Sequence, residues 1–208
     1  MKTGIKLLLV VGATALFLIF NHFWKCEGLR CLSFTGLENY KTIEVYKNDA
    51  SSYKAMLSID SGELLRVETR YGWEPSQAQK YISSEIQRIK GLFADAPAPY
   101  PGDVSNEIVC AKEYAPKYFE KDVGDTKLYY FLGNMNSRFT LGGCSPDQAV
   151  YKVQLGWIYC PQQKNLYQLE FIVPASSYDK NPERYEGVLV SIRCVSPLNY
   201  LKTGRILP

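Results

Sequence analysis

From Tyr151 to Val173 the chain alternates apolar and polar side chains on both sides of a short polar interruption. Tyr151, Val153, Leu155, Trp157 and Tyr159 alternate with Lys152, Gln154 and Gly156. Pro161-Gln162-Gln163-Lys164-Asn165 then turns the chain, and Tyr167, Leu169, Phe171 and Val173 alternate with Gln168 and Glu170. A period of two is the signature of an extended strand, and two such runs around a turn pair as a hairpin. The hairpin is expected to be buried on one face and wet on the other. It commits the fold to an antiparallel sheet, and the remaining segments must cover that sheet.

Those segments read in the same way. Lys41–Lys47 forms an early strand. Tyr53, Ala55, Leu57 and Ile59 share one face, Asp60-Ser61-Gly62 supplies a turn, and Leu65, Val67, Thr69 and Tyr71 return. Arg66, Glu68 and Arg70 fall on the opposite, solvated face. Glu74-Pro75-Ser76 opens a helix, because proline suits a first turn and Ala78, Ile82, Ile86, Ile89 and Phe93 repeat at steps of three and four. The helix stops before the proline-rich loop at 96–102. Ser105–Cys110 reads as a strand, and Lys127–Leu132 and Arg138–Leu141 flank a turn at 133–136. Asn181-Pro182-Glu183 starts a last helix with Tyr185, Val188, Leu189 and Ile192 on one side; its valines and Gly187 leave a strand as the alternative. The order predicts an α+β domain, an antiparallel β-sheet with helices packed on one face, preceded by a single N-terminal transmembrane helix. There is no internal repeat, and no motif carries a family resemblance.

Residues 7–20, LLLVVGATALFLIF, are uninterruptedly apolar and follow Lys2 and Lys6. With Ile5 and Phe23-Trp24 the run reaches about 20 residues, or about 30 Å of helix, which matches a bilayer core. The only A-x-A pattern, Ala13-Thr14-Ala15, lies inside the run, and no small residues follow it, so cleavage by a signal peptidase is not expected. This predicts a signal anchor over 1–24, a juxtamembrane connector over 25–38 and one domain over 39–208.

All six cysteines, at 26, 31, 110, 144, 160 and 194, lie beyond the anchor. An even number in the long C-terminal part predicts disulfides in an oxidising compartment, outside a cell membrane in the periplasm or the extracellular space. The absence of any Asn-x-Ser/Thr acceptor favours a bacterial envelope. Strand directions constrain the pairing. Cys144 and Cys160 lie at opposite ends of one strand, too far apart to bond. The hairpin returns from Cys160, and the last helix runs back, so Cys194 should meet Cys160. Cys26 and Cys31 can close a small loop, which leaves Cys110 for Cys144.

Function is constrained mainly by exclusion. The one histidine, His22, lies in the anchor, so the domain can hold no histidine-activated nucleophile and no histidine metal site. There is no C-x-x-C, G-x-S-x-G or phosphate-loop motif. No cofactor is expected. The charge balance of 24 basic to 21 acidic residues gives no cationic excess for nucleic acid. Carboxylate chemistry survives, so a histidine-free glycan-cleaving enzyme is one alternative. A pilin-like subunit cut after Gly4 is another, although Leu9 stands where the usual glutamate would be. The leading expectation is a non-catalytic, membrane-anchored binding or envelope-assembly module with an envelope protein or a glycan as partner. Its candidate recognition loops are Tyr100 in the proline-rich loop and Asn134, Met135 and Arg138 in the following turn, chosen because recognition concentrates in loops. Tyr151, Trp157, Tyr159 and Tyr167 are assigned to the core.

Residues 5–24 should remain attached to the mature protein, which should sediment with membranes and resist alkaline extraction. Recovery of a soluble mature chain lacking them would contradict the anchor.

Overall fold

The domain is framed by a seven-stranded antiparallel sheet. The computed structural model describes residues 31–36, 40–49, 52–58, 62–94, 115–135 and 151–195. Its elements in chain order are β1 (Leu32–Ser33), β2 (Lys41–Asp49), β3 (Ser52–Ser58), β4 (Leu64–Arg70), α1 (Pro75–Ala94), β5 (Lys117–Val123), β6 (Thr126–Met135), β7 (Tyr151–Cys160), β8 (Asn165–Pro174), α2 (Ala175–Tyr178), α3 (Pro182–Val190) and β9 (Arg193–Cys194). The large sheet has the order β2-β3-β4-β8-β7-β6-β5, and β1 pairs with β9 in a separate two-stranded sheet. Strands β2 to β4 form one meander. The chain then crosses to the far edge and returns as a second meander, so that β8 lands beside β4.

The β7–β8 register decides how the sheet is covered. Four residues, Pro161 to Lys164, join Cys160 to its partner Asn165, with Lys164 in the left-handed region at φ 53°. An even loop matches odd positions with even ones, so Trp157 lies opposite Gln168 and Ile158 opposite Tyr167. The two apolar sets of the hairpin therefore point to opposite faces, and each needs its own cover. On one face, Ile82, Ile86 and Ile89 of α1 pack with Phe131, Trp157 and Leu166. On the other, Tyr185, Val188 and Leu189 of α3 pack with Leu65, Val67, Leu169 and Phe171. This corrects two expectations: the hairpin has no wet face, and the described helices cover opposite faces rather than one.

Local chemistry sets the helix starts. Pro75 opens α1, and the Gln77 side chain accepts from the Glu74 N–H at 3.3 Å, half of a capping box. Trp73 N–H donates to Lys164 O at 2.8 Å, and the Tyr159 hydroxyl donates to Trp73 O at 2.7 Å, fixing this start beside the β7–β8 turn. In α3, the Asn181 side chain accepts from the Arg184 N–H at 3.2 Å, with Pro182 following. This segment is a helix despite its valines, because the cap and the buried Tyr185, Val188 and Leu189 outweigh β propensity.

Three further features differ from the expectations. Residues 133–135, expected in a turn, are strand, because β6 continues through Met135 and pairs Gly133, Asn134 and Met135 with Val153, Lys152 and Tyr151. An adjacent ladder satisfies those backbone groups better than a local turn does. Strand β5 was not anticipated: it is an edge strand whose Glu120, Lys121 and Asp122 interrupt any apolar alternation. Such charges protect an edge from adventitious pairing. It joins β6 through Gly124-Asp125, where Gly124 has φ 65°, a conformation glycine adopts without a Cβ clash. Within the segment read as a connector, Leu32 is buried in the core and pairs with Cys194. The anchor over 5–24 and the strands over 105–110 and 138–141 lie outside the described residues. Among those described, no helix is long and apolar enough to cross a membrane.

Cys160 and Cys194 form a disulfide with Cα atoms 5.7 Å apart, joining the end of β7 to β9. Cys31 is also disulfide-bonded, and Cys26, Cys110 and Cys144 lie outside the described residues. Replacing Cys160 and Cys194 together with alanine should lower the unfolding free energy by about 2–4 kcal/mol. Urea titration checks this, and an unchanged midpoint would show that the bond adds no stability.

Candidate recognition surface

The most buried described acid is Glu63, 1% exposed, immediately before β4. The Tyr40 hydroxyl donates to its Oε2, the Tyr185 hydroxyl donates to its Oε1 at 2.7 Å, and an Arg184 guanidinium nitrogen lies 3.7 Å from Oε2. Burial, followed by the Glu63 carboxylate, pushes both phenols above the ordinary tyrosine range, so they act as donors. Both carboxylate oxygens are thus occupied by groups from the segment before β2 and from α3. The cluster ties three parts of the chain together and encloses Glu63 away from solvent. Nothing in the local sequence marks it, since Glu63 sits in a polar turn.

The α1 face of β4 and β8 carries a second set of charges. Arg66 bonds Glu170 at 3.0 Å, and Glu68 is shared by Lys54 at 3.2 Å and Arg70 at 3.1 Å. The Arg70 guanidinium also lies 4.3 Å from the Tyr81 ring centroid and 5.6 Å from that of Trp73. These acids are half-buried and neutralised by cations, where the alternation alone assigned them to a solvated face.

The opposite face is more open near β5. Among the described residues only Val45 and Phe119 are large exposed apolar side chains, and Val45 lies on the far edge strand β2. Phe119 is 38% exposed and stacks on its cross-strand partner Tyr130, with ring centroids 5.1 Å apart and planes at 19°. Lys117 and Lys121 lie two residues to either side of Phe119, on its face of the strand. Both are exposed, and neither has an ion-pair partner among the described residues. Burial and then the negative charge of Glu186 push the Tyr130 phenol up, which puts that carboxylate in electrostatic reach of the ring. Glu186 accepts from the Tyr178 hydroxyl at 2.6 Å, and Tyr178 stacks on Tyr185 at 6.0 Å. Along the same face, Lys152 lies 5.7 Å from the Tyr178 ring centroid and donates to Asn134 Oδ1 at 2.7 Å. The result is an aromatic pair with a cationic edge and the Glu186 carboxylate in electrostatic reach of Tyr130.

Of the anticipated recognition residues, Asn134 belongs to this face through Lys152, although on a strand rather than in a loop. Met135 ends β6, and Tyr100 and Arg138 lie outside the described residues. Phe119, Lys117 and Lys121 were missed because an exposed edge strand has no burial period to betray it. Trp157 and Tyr167 are fully buried, while Tyr151 and Tyr159 are half-buried at the margins of the core.

No protein-family model matches the sequence, and no curated protein matches it. Nine solved chains match in structure. One is a crystal structure from Bacteroides thetaiotaomicron VPI-5482 at 1.50 Å resolution, with a TM-score of 0.41 and 12% identity. The match covers 79% of this chain and 45% of that one, so the chain spans under half of its length. A likeness this distant carries no argument.

Burial raises the phenols of Tyr40, Tyr167 and Tyr178, with Glu63 adding to the first and Glu186 to the last. A raised folded-state value means these tyrosines stabilise the fold fully below the unfolded phenol range, near pH 10. That stability is lost as pH climbs beyond about 10 towards the folded values. In an alkaline titration, tyrosinate absorbance should therefore rise first for exposed rings and then in a second step coincident with loss of circular dichroism. A single smooth phase completed in folded protein would contradict this assignment.

Proposed function

We propose that this chain is a non-catalytic, membrane-anchored binding or envelope-assembly module whose domain lies outside the cell membrane. The observation that carries the reading is Phe119, exposed on one sheet face, stacked on Tyr130 and flanked by two lysines that have no ion-pair partner among the described residues. A partly exposed aromatic ring beside cations that have no ion-pair partner among the described residues is well suited to contact. The even cysteine count and the bonded cysteines support an oxidising compartment, and the apolar run at 7–20 supports the tether.

The surroundings of Glu63, Glu68 and Glu170 favour binding over catalysis. A glycan-cleaving site needs two carboxyl groups facing one substrate bond, one of them kept protonated. Glu63 is enclosed by two phenols and a guanidinium, and Glu68 and Glu170 are each held by cations.

A photo-crosslinking residue at position 119 of the full chain, in its native membrane, should capture one envelope component. The same probe at Ser84, on the exposed side of α1, should not. Equal labelling from both positions would remove this surface as the binding site. Release of glycan fragments by the purified chain, abolished by a single Asp or Glu substitution, would overturn the non-catalytic reading.

A further inference from the structure

We infer that the β5–β6 platform binds an anionic saccharide, with a sugar ring stacked on Phe119 and its acidic substituent held by Lys117 and Lys121. This deepens the binding-module reading and rests on it. The β5 side chains at 117, 119 and 121 share one face, and each lysine Cα is about 7 Å from that of Phe119. A flat apolar centre between two cations is thus about the width of one ring.

The occupant follows from charge and size. A protein interface buries about 800 Å² per partner around an apolar centre. Here the only other large exposed apolar residue among those described, Val45, lies at the opposite edge of the sheet, so the apolar patch is a single ring wide. A pyranose has that shape, with one C–H face to lie on an aromatic ring and hydroxyls around its rim. The two lysines, without ion-pair partners among the described residues, add a requirement for negative charge on the β5 side. Glu186, which accepts from the Tyr178 hydroxyl on the same face, adds the opposite requirement: its carboxylate disfavours a second anion and suits hydroxyl donors. A simple anion or an acidic peptide segment meets only the first demand, whereas an acidic sugar carries both the anion and the hydroxyls.

The test is isothermal titration of the full chain, in detergent micelles, with a tetramer of galacturonate, a neutral tetramer of glucose and a tetra-aspartate peptide. The galacturonate tetramer should bind at least about tenfold more tightly than either of the others. Phe119→Ala should weaken it by about tenfold while the chain still unfolds cooperatively, the thermal midpoint falling by no more than a few degrees for the lost Tyr130 stack. Lys117→Gln with Lys121→Gln should bring it down to the neutral tetramer's level. Equal affinity for acidic and neutral tetramers, preference for the peptide, or indifference to Phe119→Ala would each overturn the inference. If the galacturonate fails to bind while position 119 still crosslinks to an envelope component, the ligand class is wrong and the binding module stands. Failure of both experiments overturns both.

Discussion

The four-residue turn between β7 and β8 is the constraint on which the rest of this domain depends. It sets Cys160 opposite Asn165 and so sends Trp157 and Tyr167 to opposite faces of the sheet. Both are fully buried, each gaining about 1.5–3 kcal/mol if its neighbours exclude water. Neither face can then remain wet. Helix α1 covers the first and α3 the second, and the crossing of the chain from β4 to the far edge at β5 brings the second meander back beside β4. A register shifted by one residue would turn Gln168 and Glu170 into the α3 core and Tyr167 and Leu169 out of it.

Polar groups complete what apolar packing begins. Glu63 would be costly to bury alone, but its two phenol donors and the nearby Arg184 supply a local environment for the charge. The same interactions join the start of β2, the β4 entrance and α3. The Cys160–Cys194 bond ties the end of β7 to β9, and β9 in turn pairs with β1, next to the bonded Cys31. The disulfide and the Glu63 cluster thus lie on the α3 side of the sheet, while the Arg66–Glu170 and Lys54–Glu68–Arg70 ion pairs lie on the α1 side. On the β5 edge the Glu120–Lys127 ion pair lies on the α1 face, and Phe119, Lys117 and Lys121 are presented on the other.

Much of this architecture was legible in the residues. Helix α1 announced itself through Pro75 and isoleucines at helical spacing, and α3 through Asn181-Pro182 with Tyr185, Val188 and Leu189 on one side. The proximity of Cys160 to Cys194 follows from strand and helix directions, because a return strand and a returning helix bring the chain back to one end of the sheet. The faces were not legible. Alternation states which residues of one strand share a side, and the partner strand's side depends on loop parity. Strand β5 escaped for a different reason: an edge strand with Glu120, Lys121 and Asp122 in succession has no buried row to produce a period. Asn134 resembled a turn residue until the ladder from β7 accounted for its backbone.

What the sequence determined by itself is local and chemical: where the apolar periods run, where proline and asparagine start helices, that the domain contains no histidine, and that its six cysteines lie together beyond an apolar segment. These depend on side-chain identity and short-range spacing, which need no knowledge of partners. Only the tertiary structure decided that the sheet is covered on both faces, that Glu63 is enclosed by Tyr40 and Tyr185, and that Phe119 and Tyr130 stand as a stacked pair between Lys117 and Lys121. Those outcomes join residues far apart in the chain, and they follow from register and strand order, which a linear pattern does not contain.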